Sequence, residues 1–266
     1  MFATVEVKDA PGGAKTFFRA LFLMPEIELT RVKVPFGDTF YRVTVTEYRG
    51  QVPVEEACER LKRLKGSVLF NLDFPTDERT KELEFESKEF YSLLLFNSAL
   101  EYIKSLSLPP SKSSLAVFDP AGIYHGHIFK AVSLFSKIQI YTGKPNLYRQ
   151  TQRELMESFG MSLTVSDRFT SDVPSCTAVI SPCVVPFSSF YCGLLFTNAP
   201  EQPLCSHCIR GDGIVLPGEY ELLRPKGIAS LHFAAALYEK AGVKTLGEMT
   251  FKKMRLTGSV GEGYNS

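Results

Sequence analysis

A chain of 266 residues, 44% hydrophobic and 22% charged, carries enough apolar material for a large core and enough length for two domains. A net charge of +1 gives no overall field to draw in nucleic acid or an anionic membrane, so neither is expected as a partner. The opening MFATVEVKDA has neither the basic nor the apolar part of a secretory signal. Apolar runs such as residues 91–96 are too short to span a bilayer, and a cytosolic protein is the expectation.

In chain order, residues 4–7 alternate as a strand does, and residues 13–24 place Phe17, Leu21 and Met24 on one helical face. Residues 28–48 form two alternating arms around a Phe36-Gly37-Asp38-Thr39 turn, which predicts a β-hairpin. Residues 53–64 predict a helix with proline near its start and acids in its first turn. SVLFNL (67–72) predicts a buried strand, and residues 87–106 a long helix. The stretch SLPPSKSS (107–114) has the composition of a linker, and it sets the expected boundary between an N-terminal α/β domain, 1–108, and a second domain, 109–266.

The second half alternates more plainly. Strands are predicted at 115–118, 137–141, 162–165, 178–181, 194–197 and 213–216. Helices are predicted at 123–135, at 147–159 ending on Gly160, and from about 228 to 240. The last of these is expected to pack back on the N-terminal domain. Apolar strands interleaved with helices imply a parallel sheet covered on both faces, and the right-handed crossover rule makes a doubly wound sheet the economical arrangement. The predicted fold class is α/β, a smaller α/β domain followed by a Rossmann-like doubly wound domain.

The stretches LAVFDPAGIYHGHIFKAVSLFSKIQIYT, ELMESFGMSLTVSD and CTAVISP, between Leu115 and Pro182, resemble the NAD(P)-binding Rossmann superfamily in their rhythm. A small α/β half followed by a nucleotide-type half also resembles the shikimate-dehydrogenase arrangement, without that family's catalytic motifs. The resemblance implies ligand binding in the crevice outside the strand ends, lined by Asp119, Gly122, Thr142, Lys144, Ser181, Thr197 and Asn198. Yet the glycine fingerprint fails, because DPAGIY puts Asp119, Ala121 and Tyr124 at its three glycine positions. Asp119 followed by Pro120 is instead an N-cap and first-turn pair, expected to bond N–H groups near Ala121 or Gly122. Such a carboxylate takes the donors that would hold a pyrophosphate and repels the ligand itself. Thr142-Gly143-Lys144 ends the second strand without the acid that would select NAD. Any dinucleotide would then be NADP, although a solvated turn accounts for TGKPN as well.

Other motifs weaken on inspection. PGGAKTFF (11–18) is similar to a P-loop but has Asp9 and Ala14 where glycines are needed, so it reads as a helix entrance. FDPAG is similar to the haloacid-dehalogenase nucleophile loop, but Ala121 stands where the second acid is required. His125 and His127, two residues apart, point about 200° apart on a helix and do not share a metal. His125, near a helix N-terminus, is the candidate proton-handling group. CSHC (205–208) is half a zinc site. Completing it needs Cys192 with Cys205, Cys208 and His207, and reduced thiols are the simpler reading. No metal and no cofactor are expected. The functional expectation is a degraded nucleotide scaffold that binds a small ligand or partner without redox catalysis, the alternative being an NADP-dependent oxidoreductase with an atypical loop.

Overall fold

The computed structural model describes residues 1–10, 26–48, 50–167, 176–185, 192–199 and 208–257. The helix expected at 13–24 and the stretch 11–18 lie outside them. The chain divides into two compact units: Met1–Phe90 with Val215–Gly247, and Tyr91–Ile214 with Glu248–Ser266. Residues 107–114 fall inside the second unit, and residues 228–240 inside the first. No helix among the described residues is long and apolar enough to cross a membrane.

In the first unit, strands β1 (Ala3–Asp9), β2 (Ile27–Lys33), β3 (Thr39–Glu47) and β4 (Val68–Phe70) form one sheet in the order β2-β3-β1-β4. The hairpin forms as its alternation predicts: β2 and β3 are antiparallel, with Ile27 opposite Val45 and Lys33 opposite Thr39. β1 lies parallel to β3 and to β4. Period-2 alternation then sorts the residues. Ala3, Val5, Val43, Val45 and Val68 face a core completed by Ala57, Cys58 and Leu61 of helix α1 (Val54–Leu61). The opposite face carries Phe2 and Phe40, stacked at 4.9 Å, with Phe233 edge-on to both. A short helix α2 (Glu78–Leu83), absent from the sequence reading, starts at a capping box between Asp77 and Thr80.

In the second unit the described strands are β5 (Ser114–Phe118), β6 (Lys137–Tyr141), β7 (Leu163–Ser166), β8 (Cys176–Ile180), β9 (Cys192–Phe196), β10 (Cys208–Asp212) and β11 (Lys253–Thr257). They run β11-β10-β9-β8-β5-β6-β7 across one sheet. All neighbours pair in parallel except β11, which runs antiparallel to β10 at the edge. Counted from β5, the parallel strands stand 3-2-1-4-5-6, the order of the doubly wound dinucleotide-binding fold. The fold is Rossmann-like α/β.

Helix α3 (Phe90–Ser105) precedes β5, and α4 (Arg149–Phe159) joins β6 to β7, closed by Gly160 in the left-handed region at φ 63°. Beyond β10 come α5 (Gly218–Glu221) and α6 (Ser230–Lys240) of the first unit. Two predicted elements differ. The strand expected at 213–216 is instead β10, because Cys208 and Ile209 find partners in Leu195 and Phe196 while Gly213 ends the strand at φ 61°. The helix expected at 123–135 is two 3-10 turns, Ile123–Gly126 and Ile128–Ala131. IYHGHIF is poor in helix formers and is interrupted by Gly126, so the turn closes on i+3 bonds such as His127 N–H to Tyr124 O at 2.8 Å.

Candidate functional site

Four residues stand one step beyond the carboxyl ends of adjacent strands: Thr142 after β6, Asp119 after β5, Ser181 after β8 and Thr197 after β9. All four are fully buried. Each continues its ladder by one rung, with N–H groups donating to Ser166 O, Tyr141 O, Phe196 O and Ile209 O at 2.8–3.1 Å. The strand order reverses between β5 and β8, so Asp119 and Ser181 sit at the topological switch point, where open α/β sheets hold ligands.

The side chains of these residues are spent on the chain itself. Thr142 Oγ1 accepts the Lys144 N–H at 3.0 Å, and Thr197 Oγ1 accepts that of Ala199 at 3.1 Å. Ser181 Oγ donates to Cys183 O at 2.8 Å, and Asn198 Oδ1 accepts the Gly211 N–H at 2.9 Å. Short polar side chains at strand ends make such local turns readily.

Asp119 is the most heavily used of the four. Its Oδ1 accepts the Ile123 N–H and its Oδ2 the Tyr124 N–H, both at 2.8 Å. The Tyr148 hydroxyl donates to Oδ2 as well. The cap therefore lands two residues further on than the Ala121–Gly122 amides, and Pro120 is not a first helical residue. Gly122, left-handed at φ 74°, swings the chain past the carboxylate before the 3-10 turn begins. Burial first, and then the Asp119 charge, push the Tyr148 and Tyr124 phenols far above the usual range, so both remain donors. The Tyr124 hydroxyl donates a hydrogen bond to Ser92 O at 3.1 Å, and its ring stacks on Phe96.

The loop over the carboxylate is closed from the β6–α4 side. A Cβ at Gly122 would lie 2.6 Å from Leu147 Cδ1 and 3.5 Å from the Lys144 stem. Lys144, the candidate for a 2′-phosphate, donates its ammonium to Ala121 O at 3.0 Å. His125 is exposed, with Nδ1 2.8 Å from Gly122 O. The carbonyl can only accept, so Nδ1 is the donor in this contact. His127 is half-buried, and desolvation, followed by the Lys130 charge, lowers its pKa. Among the described residues no group of three or more His, Cys, Asp or Glu side chains is gathered as a metal would require. Cys58, Cys176, Cys183 and Cys208 are thiols. Cys205 and His207 of the CSHC stretch lie outside the described residues.

No protein-family model matches the chain, and no curated protein matches it. Among solved structures it is similar to the crystal structure of L-tryptophan dehydrogenase from Nostoc punctiforme. Identity is 10% over 88% of this chain and 71% of that one, with a TM-score of 0.33. The fold rests on strand order rather than on that likeness.

Tyr148, Leu147 and Tyr124 are the site residues that pattern reading missed. One signal was present for Tyr148: a buried phenol needs a partner, and Asp119 is the carboxylate at the neighbouring strand end. Replacing Tyr148 by Phe removes that donor alone. The expected loss is about 1–2 kcal/mol, read as a lower urea midpoint at unchanged m-value.

Proposed function

We propose that this is a cytosolic protein on a nucleotide-type scaffold whose phosphate loop has become a structural turn, and that it binds a small ligand or partner without redox catalysis. One observation carries the reading. The Asp119 carboxylate takes the Ile123 and Tyr124 amides, donors of the kind a doubly wound fold offers to a pyrophosphate. An incoming dinucleotide would have to displace a buried anion, Leu147 and the Lys144 stem, and would meet charge repulsion while doing so. The small net charge supports a partner other than a polyanion.

Thermal melting with NADP and NAD tests this. At about millimolar ligand the expected stabilisation is at most about 0.4 kcal/mol, the mass-action limit when ligand does not exceed its dissociation constant. Asp119→Gly is expected to bind dinucleotide better than the parent, since the anion is gone and the turn is looser. Tight NADP binding by the parent, abolished by Asp119→Gly, would put an NADP-dependent oxidoreductase in place of this reading.

A further inference from the structure

Helix α3 turns one face to a cleft within the second unit. Asn97, Leu100, Glu101 and Lys104 follow the i, i+3, i+4, i+7 spacing of a single helical face, about 10 Å long, and line one wall. Lys130, Ser133 and Leu134 come from the segment after β5, and Glu248 and Thr250 from the segment leading into β11. The cleft has a volume of about 240 Å³. Tyr124 meets α3 at Ser92, so the cleft lies further along the helix than the Asp119 loop.

Part of the lining is fixed by bonds within the chain. Asn97 Oδ1 accepts from the Lys130 ammonium at 3.0 Å, and its Nδ2 donates to Met249 O at 3.1 Å. Lys130 is also paired with Glu248. The remainder is unspent. Among the described residues, the Glu101 carboxylate, the Lys104 ammonium and the Ser133 and Thr250 hydroxyls bond no other group of the protein. Leu100 and Leu134 add apolar surface to the same cleft.

These features select an occupant. The two lysines and two glutamates cancel, so no net charge is left to hold an anion or a cation. Free acceptors and free donors stand side by side, and a hydroxyl is the small group that serves both at once. The volume falls below the roughly 300–1,000 Å³ of pockets for drug-sized ligands, which excludes a dinucleotide and suits a smaller molecule. We propose that this cleft binds a neutral polyol of monosaccharide size. Its hydroxyls donate to Glu101 and accept from Lys104, Ser133 and Thr250, and its C–H face lies on Leu100 and Leu134. The assignment rests on the small-ligand function proposed above and names its ligand class. Dinucleotide melting reads the Asp119 loop and a sugar titration reads the cleft, so the two fail separately.

The test is calorimetry on the full chain with glucose, mannose, galactose, ribose and sorbitol, set against glucose 6-phosphate, glycine and inorganic phosphate. At least one neutral polyol is expected to bind saturably, with an affinity unchanged by added salt, because an uncharged ligand offers nothing to screen. Glucose 6-phosphate is expected to bind no tighter than glucose. Glu101→Ala and Lys104→Ala change exposed side chains and are each expected to weaken binding about tenfold. Ser133→Trp, also at an exposed position, fills the cleft and is expected to abolish binding. No saturation by any neutral polyol, tighter binding of glycine or of either phosphate, or binding unchanged in the three variants overturns the proposal.

Discussion

Replacing Asp119 by alanine is expected to destabilise the protein by about 3–5 kcal/mol, although the residue lies in a loop. The carboxylate satisfies two backbone amides and the Tyr148 hydroxyl, and it is itself fully buried. Removing it strands three donors at once. An orphaned buried donor costs about 1–3 kcal/mol, and partial relaxation of the exposed Pro120–Ala121 stretch brings the sum down to the stated range. Asp119→Asn keeps one accepting oxygen but turns an NH2 toward another donor, so its cost should fall at about half that of alanine. Urea titrations of both variants check this ordering. An alanine variant as stable as the parent would show that the carboxylate is not what organises the turn, and the structural reading of the loop would fall with it.

The second large effect belongs to a carboxylate far from the first in sequence. Glu239, near the end of α6, accepts the N–H groups of Lys88, Glu89 and Phe90 at 3.0–3.1 Å and the Ser87 hydroxyl at 2.6 Å. These are the amides that lead into α3, so Glu239 acts as a helix cap supplied from another segment. Glu239→Ala should cost about 3 kcal/mol, more than an ordinary exposed cap, because three amides lose their acceptor together.

The same contact predicts a pH dependence. Desolvation pushes the Glu239 pKa up, but the bonds from Phe90, Ser87, Glu89 and Lys88 outweigh it and hold the group below its ordinary value. A carboxyl with a depressed folded pKa binds fewer protons folded than unfolded, so its contribution is complete above the ordinary carboxylate range and is lost as pH falls through the depressed value. Stability differences between parent and Glu239→Gln should therefore be constant near neutrality and shrink below about pH 4. A difference that stayed flat down to the acid transition would show that the charge is not what caps the helix.

Much of the framework was legible from residue pattern. Period-2 alternation over residues 28–48 gives the hairpin, and apolar runs punctuated by Gly160 and Pro120 give β5, β6 and the α4–β7 step. These signals are local, and local chemistry decides them: side-chain alternation, a left-handed glycine, a proline that cannot donate. Asp119 followed by Pro120 likewise announces a capped loop in place of a glycine-rich one.

Tertiary structure decided what depends on residues distant in sequence. Which amides Asp119 caps was settled by Gly122, which carries the chain past the carboxylate, and by Tyr148 arriving from beyond β6. Whether 208–212 or 213–216 becomes the strand was settled by pairing with β9. Local propensity favoured the apolar GIVL over CIRGD there, and the ladder partner overrode it. Glu239 as a helix cap, and the cleft that Lys130 and Glu248 form with α3, exist only once strand register and chain reversal bring together positions tens to hundreds of residues apart. A pattern that repeats every two or four residues carries no information about contacts at that separation.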